Sequence, residues 1–194
     1  MIEHKFPYES FIGGWYISNS VCDDMIKVFH SSKLKKETIK GLQGKNGIPD
    51  INLNIKDSED LIISHLDNDK EILNYREQLQ LCLNEYVKKY PDANTLAKYN
   101  INSDYNIQYY SIGGGYKSWH SERSAKNESI RVLVFMTYLN DVEDGGTMFK
   151  YQKLISPAKK GLTLIWPSDW THTHKGEISK TKEKYIVTGW FNYI

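Results

Sequence analysis

Two residues in the second half of the chain have the types and spacing to share a metal ion: His120 and Glu122, within Trp119-His120-Ser121-Glu122. Strand side chains two apart point to the same face. An imidazole nitrogen and a carboxylate oxygen would then converge on one ion. A second cluster lies downstream, at Trp170-Thr171-His172-Thr173-His174-Lys175-Gly176. If the strands leading into the two clusters face each other across a barrel, His172 or His174 brings a third ligand. The two share strand parity, so spacing does not choose between them. Two imidazoles and one carboxylate on one face of an octahedron leave adjacent positions open, which suits iron(II) with room for an organic acid and O2. Structural zinc would want four protein ligands, usually with cysteine, and neither Cys22 nor Cys82 is near. His4, His30 and His65 lack ligating neighbours and read as surface or capping residues. Gly113 to Gly115 is not a phosphate loop, because no helix start and no Lys-Ser/Thr pair follows it.

These residues need elements to position them. Up to about Asn100 the texture is helical. Ser18 to Ser32 has a cap candidate in Ser20 and an apolar face of Val21, Met25 and Phe29. The helical period returns from Asp69 to Tyr90 with Ile72, Leu79, Leu83, Tyr86 and Val87, and Pro91 ends it. Gly41 to Asp50 reads as a mobile loop. Ile51 to Lys56 alternates like a strand, and Asp60 to Leu66 reads as an extension of the second helix. The second half is β-like: Tyr105 to Tyr110, Ile130 to Leu139, Gly161 to Trp166 and Tyr185 to Tyr193, with Asp144-Gly145-Gly146 read as turn punctuation. Helices followed by short strands predict a mainly β fold, a distorted double-stranded β-helix of the jelly-roll or cupin type. Residues 1–194 form one domain, with a helical support region at 1–100 and the core with the metal site at 101–194.

Composition bounds the partners. The chain has 194 residues, a net charge of +1, 40% apolar and 25% charged residues. That balance offers no basic footprint for nucleic acid. No apolar run approaches the length of a membrane span, and the N-terminus has no secretory pattern. The two cysteines read as free buried thiols, and the expected location is cytoplasmic.

The ordered motifs carry a more specific likeness. From about Asn106 onward the chain resembles the iron(II)/2-oxoglutarate-dependent dioxygenase superfamily, and within it the prolyl 4-hydroxylase-like branch. Tyr110-Ser111-Ile112-Gly113-Gly114-Gly115-Tyr116 followed by His120-Ser121-Glu122 is similar to that branch's Tyr, Gly-rich turn, Tyr and H-x-D. Tyr138 to Phe149 is similar to its segment of Tyr-Leu-Asn-Asp-Val, acidic residues, Gly-Gly, Thr and Phe. Gly161 to Pro167 resembles the strand before the distal histidine. His174-Lys175-Gly176 and Lys184-Tyr185 resemble the distal ligand and the basic residue that follows it. The resemblance implies that His120, Glu122 and His174 hold Fe(II), with His174 preferred over His172 by its offsets to Gly176 and Lys184. It implies that Lys184, Tyr110 and Thr147 take the distal carboxylate of 2-oxoglutarate. Tyr116, Trp119 and Arg123 flank the ligand turn as candidate substrate contacts. O2 is the second cosubstrate, and ascorbate is an admissible accessory reductant. Glu122 stands where the branch usually has Asp, one methylene shorter.

The expected reaction is hydroxylation of an unactivated C–H bond. The substrate would be a peptide, with proline favoured by the branch, or a small molecule, with neither nucleic acid nor membrane involved. Two other classes use the same residues. One is a non-catalytic cupin-like module that binds a metal or a small molecule. The other is a zinc hydrolase built on His120, His172 and His174.

Overall fold

Four strands set the architecture: Tyr105–Tyr110, Arg131–Tyr138, Leu162–Pro167 and Lys184–Tyr193. The computed structural model describes residues 1–35, 37–45, 48–95 and 97–194. In it Arg131–Tyr138 lies between Leu162–Pro167 and Lys184–Tyr193, and Tyr105–Tyr110 pairs with the far side of Lys184–Tyr193, all antiparallel. Gly13–Tyr16 extends this sheet at one edge and Glu59–Ile63 at the other. Facing it is a three-stranded sheet of Leu154–Ala158, Val142–Phe149 and His174–Gly176. The result is the double-stranded β-helix expected from the sequence.

Strand parity sorts the side chains. Odd-numbered positions such as Leu133, Phe135, Ile165, Tyr185, Val187 and Phe191 pack in the cluster that faces the helices. Even-numbered ones such as Val134, Met136, Tyr138, Leu164, Trp166 and Ile186 point between the two sheets. Both faces of the large sheet are therefore buried, which explains its nearly unbroken apolar runs. Helices α1 (Asn19–Leu34) and α2 (Lys70–Lys89) cover the outer face. The α1 stripe is Val21, Cys22, Met25 and Phe29, and α2 contributes Ile72, Tyr75, Leu79, Leu83 and Tyr86. Tyr75 is fully buried, and its hydroxyl shares a hydrogen bond with Thr137 at 3.0 Å, so no polar group is stranded beneath the helix. Neither helix is long and apolar enough to cross a membrane. Both cysteines are free and buried.

Several local expectations are corrected. Helix α1 is capped at Ser18 rather than Ser20, and the Ser18 hydroxyl meets that of Ser20 instead of a backbone N–H. The stretch read as a loop contains a hairpin, Gln43–Lys45 paired with Ile48–Asp50; Gly47 lies outside the described residues. Ile51 to Ile55 is a turn that leads into the short strand Lys56–Asp57: Asn52 accepts from the backbone N–H groups of Asn54, Ile55 and Lys56, the first through its side chain. Asp60 to Leu66 does not join α2, because Glu59–Ile63 is a strand with Leu61 and Ile63 buried and Ile62 half exposed. Gly145-Gly146 is not a turn but lies inside the Val142–Phe149 strand. A Cβ on Gly146 would sit 2.1 Å from the carbonyl oxygen of Ser156, so glycine is the residue that lets the neighbouring strand approach. The first hundred residues supply sheet strands as well as helices.

Gly189 tests this packing. An added Cβ there would meet Phe135 Cζ and Tyr105 Cβ, each at 2.5 Å. Gly189→Ala is expected to cost about 1–3 kcal/mol by overpacking, read from the urea midpoint with an unchanged slope. An unaltered midpoint would show that this part of the core is loosely packed.

Candidate metal centre and cosubstrate pocket

His120 lies outside any long strand, in a single antiparallel bridge opposite His174. Each residue's backbone N–H donates to the other's carbonyl, at 3.0 and 2.8 Å. The reciprocal pair fixes these two candidate ligands relative to each other. Glu122 is anchored separately, its N–H on the Ser168 carbonyl at 3.2 Å and its own carbonyl accepting from Arg131 Nη1 at 2.6 Å.

From this frame the side chains converge. His120 Nε2 is 3.3 Å and His174 Nε2 is 3.4 Å from Glu122 Oε1. Among the described residues this is the one group of three ligating side chains whose atoms lie within 4.8 Å of one another. The ring tautomers follow from the other nitrogens. His120 Nδ1–H donates to the Ser118 carbonyl at 3.0 Å and His174 Nδ1–H to the His172 carbonyl at 2.9 Å. In the neutral rings both Nε2 atoms then carry lone pairs toward the carboxylate. Burial, followed by the nearby His120, lowers the His174 pKa against the pull of Glu122. Burial alone would raise the Glu122 carboxyl, yet its contacts with His120 and His174 hold it well below the usual range. With a metal in place of the protons shared between the Nε2 atoms and the carboxylate, the same three side chains would offer the deprotonated ligand forms that a divalent ion requires. Three acceptors pointed at one another also need a cation between them. The donor set fits iron(II), and the Nδ1 bonds are the outer-shell contacts that orient such ligands.

Tyr116 stacks on His120, with centroids 3.7 Å apart and planes at 17°. Trp166 meets His174 edge-on at 5.1 Å. The three acceptors open into a cavity of roughly 370 Å³. Its wall includes Tyr110, Thr147 and Lys184, the three residues that the resemblance assigns to 2-oxoglutarate. All three are buried. Lys184 Nζ donates to the carbonyls of Gly145 at 2.8 Å and Glu177 at 3.2 Å. Burial pushes its pKa down to about 8, against the opposing pull of Glu177 and Asp144. The Gly145-Gly146 pair thus supplies the carbonyl on which this lysine rests.

Other predicted residues lie elsewhere. His172 is turned away from the centre, its Nε2–H on the Ser10 carbonyl at 3.0 Å, which leaves a zinc site of three histidines without its third member. Trp119 is half exposed beneath Lys175, and Arg123 pairs with Asp169; neither is part of the cavity wall. Tyr116 is part of it.

Several wall residues were not assigned to the site from the sequence, Tyr138, Arg131, Trp190 and Lys56 among them. Tyr138 shares hydrogen bonds with Thr147 Oγ1 at 2.7 Å and Ser156 Oγ at 2.9 Å. Its even position, in phase with Val134 and Met136, is the signal that marks it as inward-facing. Arg131 lies 3.7 Å over the Trp190 ring. Lys56 and Asp60 form a buried ion pair at 2.6 Å near the cavity, for which the chain shows no local pattern.

The comparisons agree with this geometry. Residues 105–192 match the family model of the 2OG-Fe(II) oxygenase superfamily. No curated protein sequence matches the chain significantly. The viral collagen prolyl hydroxylase of Paramecium Bursaria Chlorella virus-1, solved with 2OG, superposes with a TM-score of 0.69 at 18% identity, over 95% of this chain and 97% of that one. A Pseudomonas putida prolyl-4-hydroxylase gives 0.68 at 12%, over 95% and 93%. A Trichoplax adhaerens prolyl hydroxylase in complex with a hypoxia inducible factor peptide fragment gives 0.69 at 13%, over 92% and 83%.

The two downstream histidines separate in a metal titration. His174→Ala is expected to weaken Co(II) binding by about 100-fold or more, since even outer-shell losses reach that size. His172→Ala should leave metal affinity intact and lower stability alone. Calorimetric titration of each variant decides, and equal losses would contradict the geometry.

Proposed function

We infer that the 2OG-Fe(II) oxygenase domain at residues 105–192 hydroxylates a peptide, with prolyl residues as the favoured target, and that His120, Glu122 and His174 hold its iron(II). When bound, iron(II) with 2-oxoglutarate and O2 supplies oxidative decarboxylation of the cosubstrate coupled to C–H hydroxylation. One observation carries the residue roles: the His120, Glu122 and His174 cluster shares one cavity with a buried lysine that, among the described residues, has no carboxylate in ion-pair contact.

The chain's own residues do the rest. Lys184 pairs with the distal carboxylate of 2-oxoglutarate, offsetting the desolvation of both charges. Thr147 and Tyr138, already joined at 2.7 Å, turn hydroxyl groups to the same carboxylate, and Tyr110, whose hydroxyl donates to Gln108 Oε1 at 2.6 Å, lines that end through its ring and its oxygen lone pairs. Met136, Trp166 and Ile186 keep the surroundings apolar and exclude water. Tyr116 holds the His120 ring from one side. The mouth carries Ser124, Asn127 and Glu128, polar groups suited to a peptide backbone. Peptide as the substrate class is supported by the prolyl hydroxylases of similar fold, one of them solved with a peptide.

Anaerobic titration of the iron(II)-loaded protein with 2-oxoglutarate should raise a weak visible charge-transfer band. Bound iron without a band would refute the cosubstrate pocket. A proline-containing peptide library that yields no +16 product while 2-oxoglutarate is still consumed would refute the prolyl substrate alone.

Cosubstrate affinity should depend on pH through Lys184. The charged form binds the carboxylate, so affinity is full below about pH 8 and declines as pH rises through that value. Lys184→Ala should weaken 2-oxoglutarate binding roughly 10- to 100-fold, the worth of a charge-assisted hydrogen bond, with iron affinity retained and the pH dependence abolished. Parallel loss of iron would show that Lys184 is structural.

A further inference from the structure

Glu122 has one methylene more than the aspartate it replaces, and so one more torsion. A carboxylate on that longer arm can roll and offer both oxygens to a metal. In a site that must keep adjacent positions free for cosubstrate and O2, a second carboxylate oxygen would occupy one of them. The two oxygens of Glu122 have different surroundings. Oε1 faces the Nε2 atoms of His120 and His174. Oε2 instead accepts from the indole Nε1–H of Trp190 at 3.0 Å and lies 3.8 Å from Arg131 Nη1.

Trp190 has little freedom to follow a rolling carboxylate. It lies at an even, inward-facing position of the Lys184–Tyr193 strand, between Gly189 and Phe191. The guanidinium of Arg131 lies 3.7 Å from its ring centroid. Arg131 also donates to the Glu122 carbonyl at 2.6 Å and meets Glu128 at 3.4 Å. Backbone and carboxylate of Glu122 are thus held by two side chains stacked on each other.

We propose that Trp190, seated against Arg131, is a positioning residue that keeps Oε2 of Glu122 out of the metal sphere and so preserves an open coordination position. The inference rests on the metal reading given above. It makes the glutamate in this triad workable through a contact that depends on the longer arm.

The test compares binding constants in the absence of turnover, with Co(II) and then 2-oxoglutarate titrated calorimetrically. In Trp190→Phe the aromatic body remains for Arg131 while the N–H is lost. Co(II) affinity should be retained or tightened, and 2-oxoglutarate affinity should fall roughly 10-fold or more. Placed on Glu122→Asp, whose shorter arm withdraws from Trp190, the same substitution should no longer change 2-oxoglutarate affinity. Unchanged binding in Trp190→Phe, or equal loss of Co(II) and 2-oxoglutarate, would overturn the proposal. A loss of the same size in the Glu122→Asp background would also overturn it, by assigning Trp190 to the cosubstrate itself. Co(II) binding by the wild type together with unchanged 2-oxoglutarate affinity in Trp190→Phe defeats this inference alone, whereas failure of the wild type to bind Co(II) defeats the metal reading and this inference with it.

Discussion

Three hydrogen-bond acceptors directed at one point are an unstable arrangement without a cation, and much of the molecule serves to hold that arrangement. The backbone bridge between His120 and His174 fixes the two rings, and their Nδ1–H groups are committed to carbonyls, so the remaining nitrogens face Glu122. Left to relax, such groups would turn toward water or donors, because a buried unpaired acceptor costs about 1–3 kcal/mol. They are kept from doing so by Tyr116 against His120, by Trp166 against His174 and by Trp190 on Glu122. Energy gained in the apolar core thus holds these three polar side chains in one geometry.

The path from core to centre runs through strand parity. In the large sheet, odd positions bind the helices and even positions face the cavity, so the same strands serve stability and chemistry. Lys184, Ile186 and Trp190 belong to the inner set, while Tyr185, Val187 and Phe191 hold α1 and α2 in place. A register slip of one residue would exchange these sets. The helices contribute no atom to the cavity wall, but they bury the outer face that fixes this register.

How much of this was legible in the sequence follows from the range of each signal. The four long strands and both helices carry a strong local period, and the ordered motifs brought His120, Glu122, His174, Tyr110, Thr147 and Lys184 into one expectation. The structure places all six on one cavity. Glycine misled where its reason was tertiary. Gly145-Gly146 reads as a turn, yet it marks a close approach to Ser156 from a strand that sequence order does not identify as the neighbour. Asn52 had the opposite effect, since its side-chain turn interrupts a stretch whose alternation suggests a strand. Arg131, Trp190 and the Lys56–Asp60 pair escaped notice because their meaning lies in contacts between distant segments.

Charge completes the relation between the two ends of the cavity. At one end, the Glu122 carboxylate and the Nε2 atoms of His120 and His174 converge. At the other, Lys184 is buried with two carbonyls and the Tyr110 ring as partners and, among the described residues, no carboxylate in ion-pair contact. Burial has already drawn its pKa down to about 8, which measures how poorly this environment compensates the charge. A cation at the first end and a carboxylate at the second would correct both deficits. One dicarboxylate that reaches from Lys184 to the metal would do so with a single molecule, and the hydroxyl pair of Tyr138 and Thr147 lies on the same wall. A metal with an acidic cosubstrate would thus answer the electrostatics of both ends of this cavity, which the fold alone does not specify.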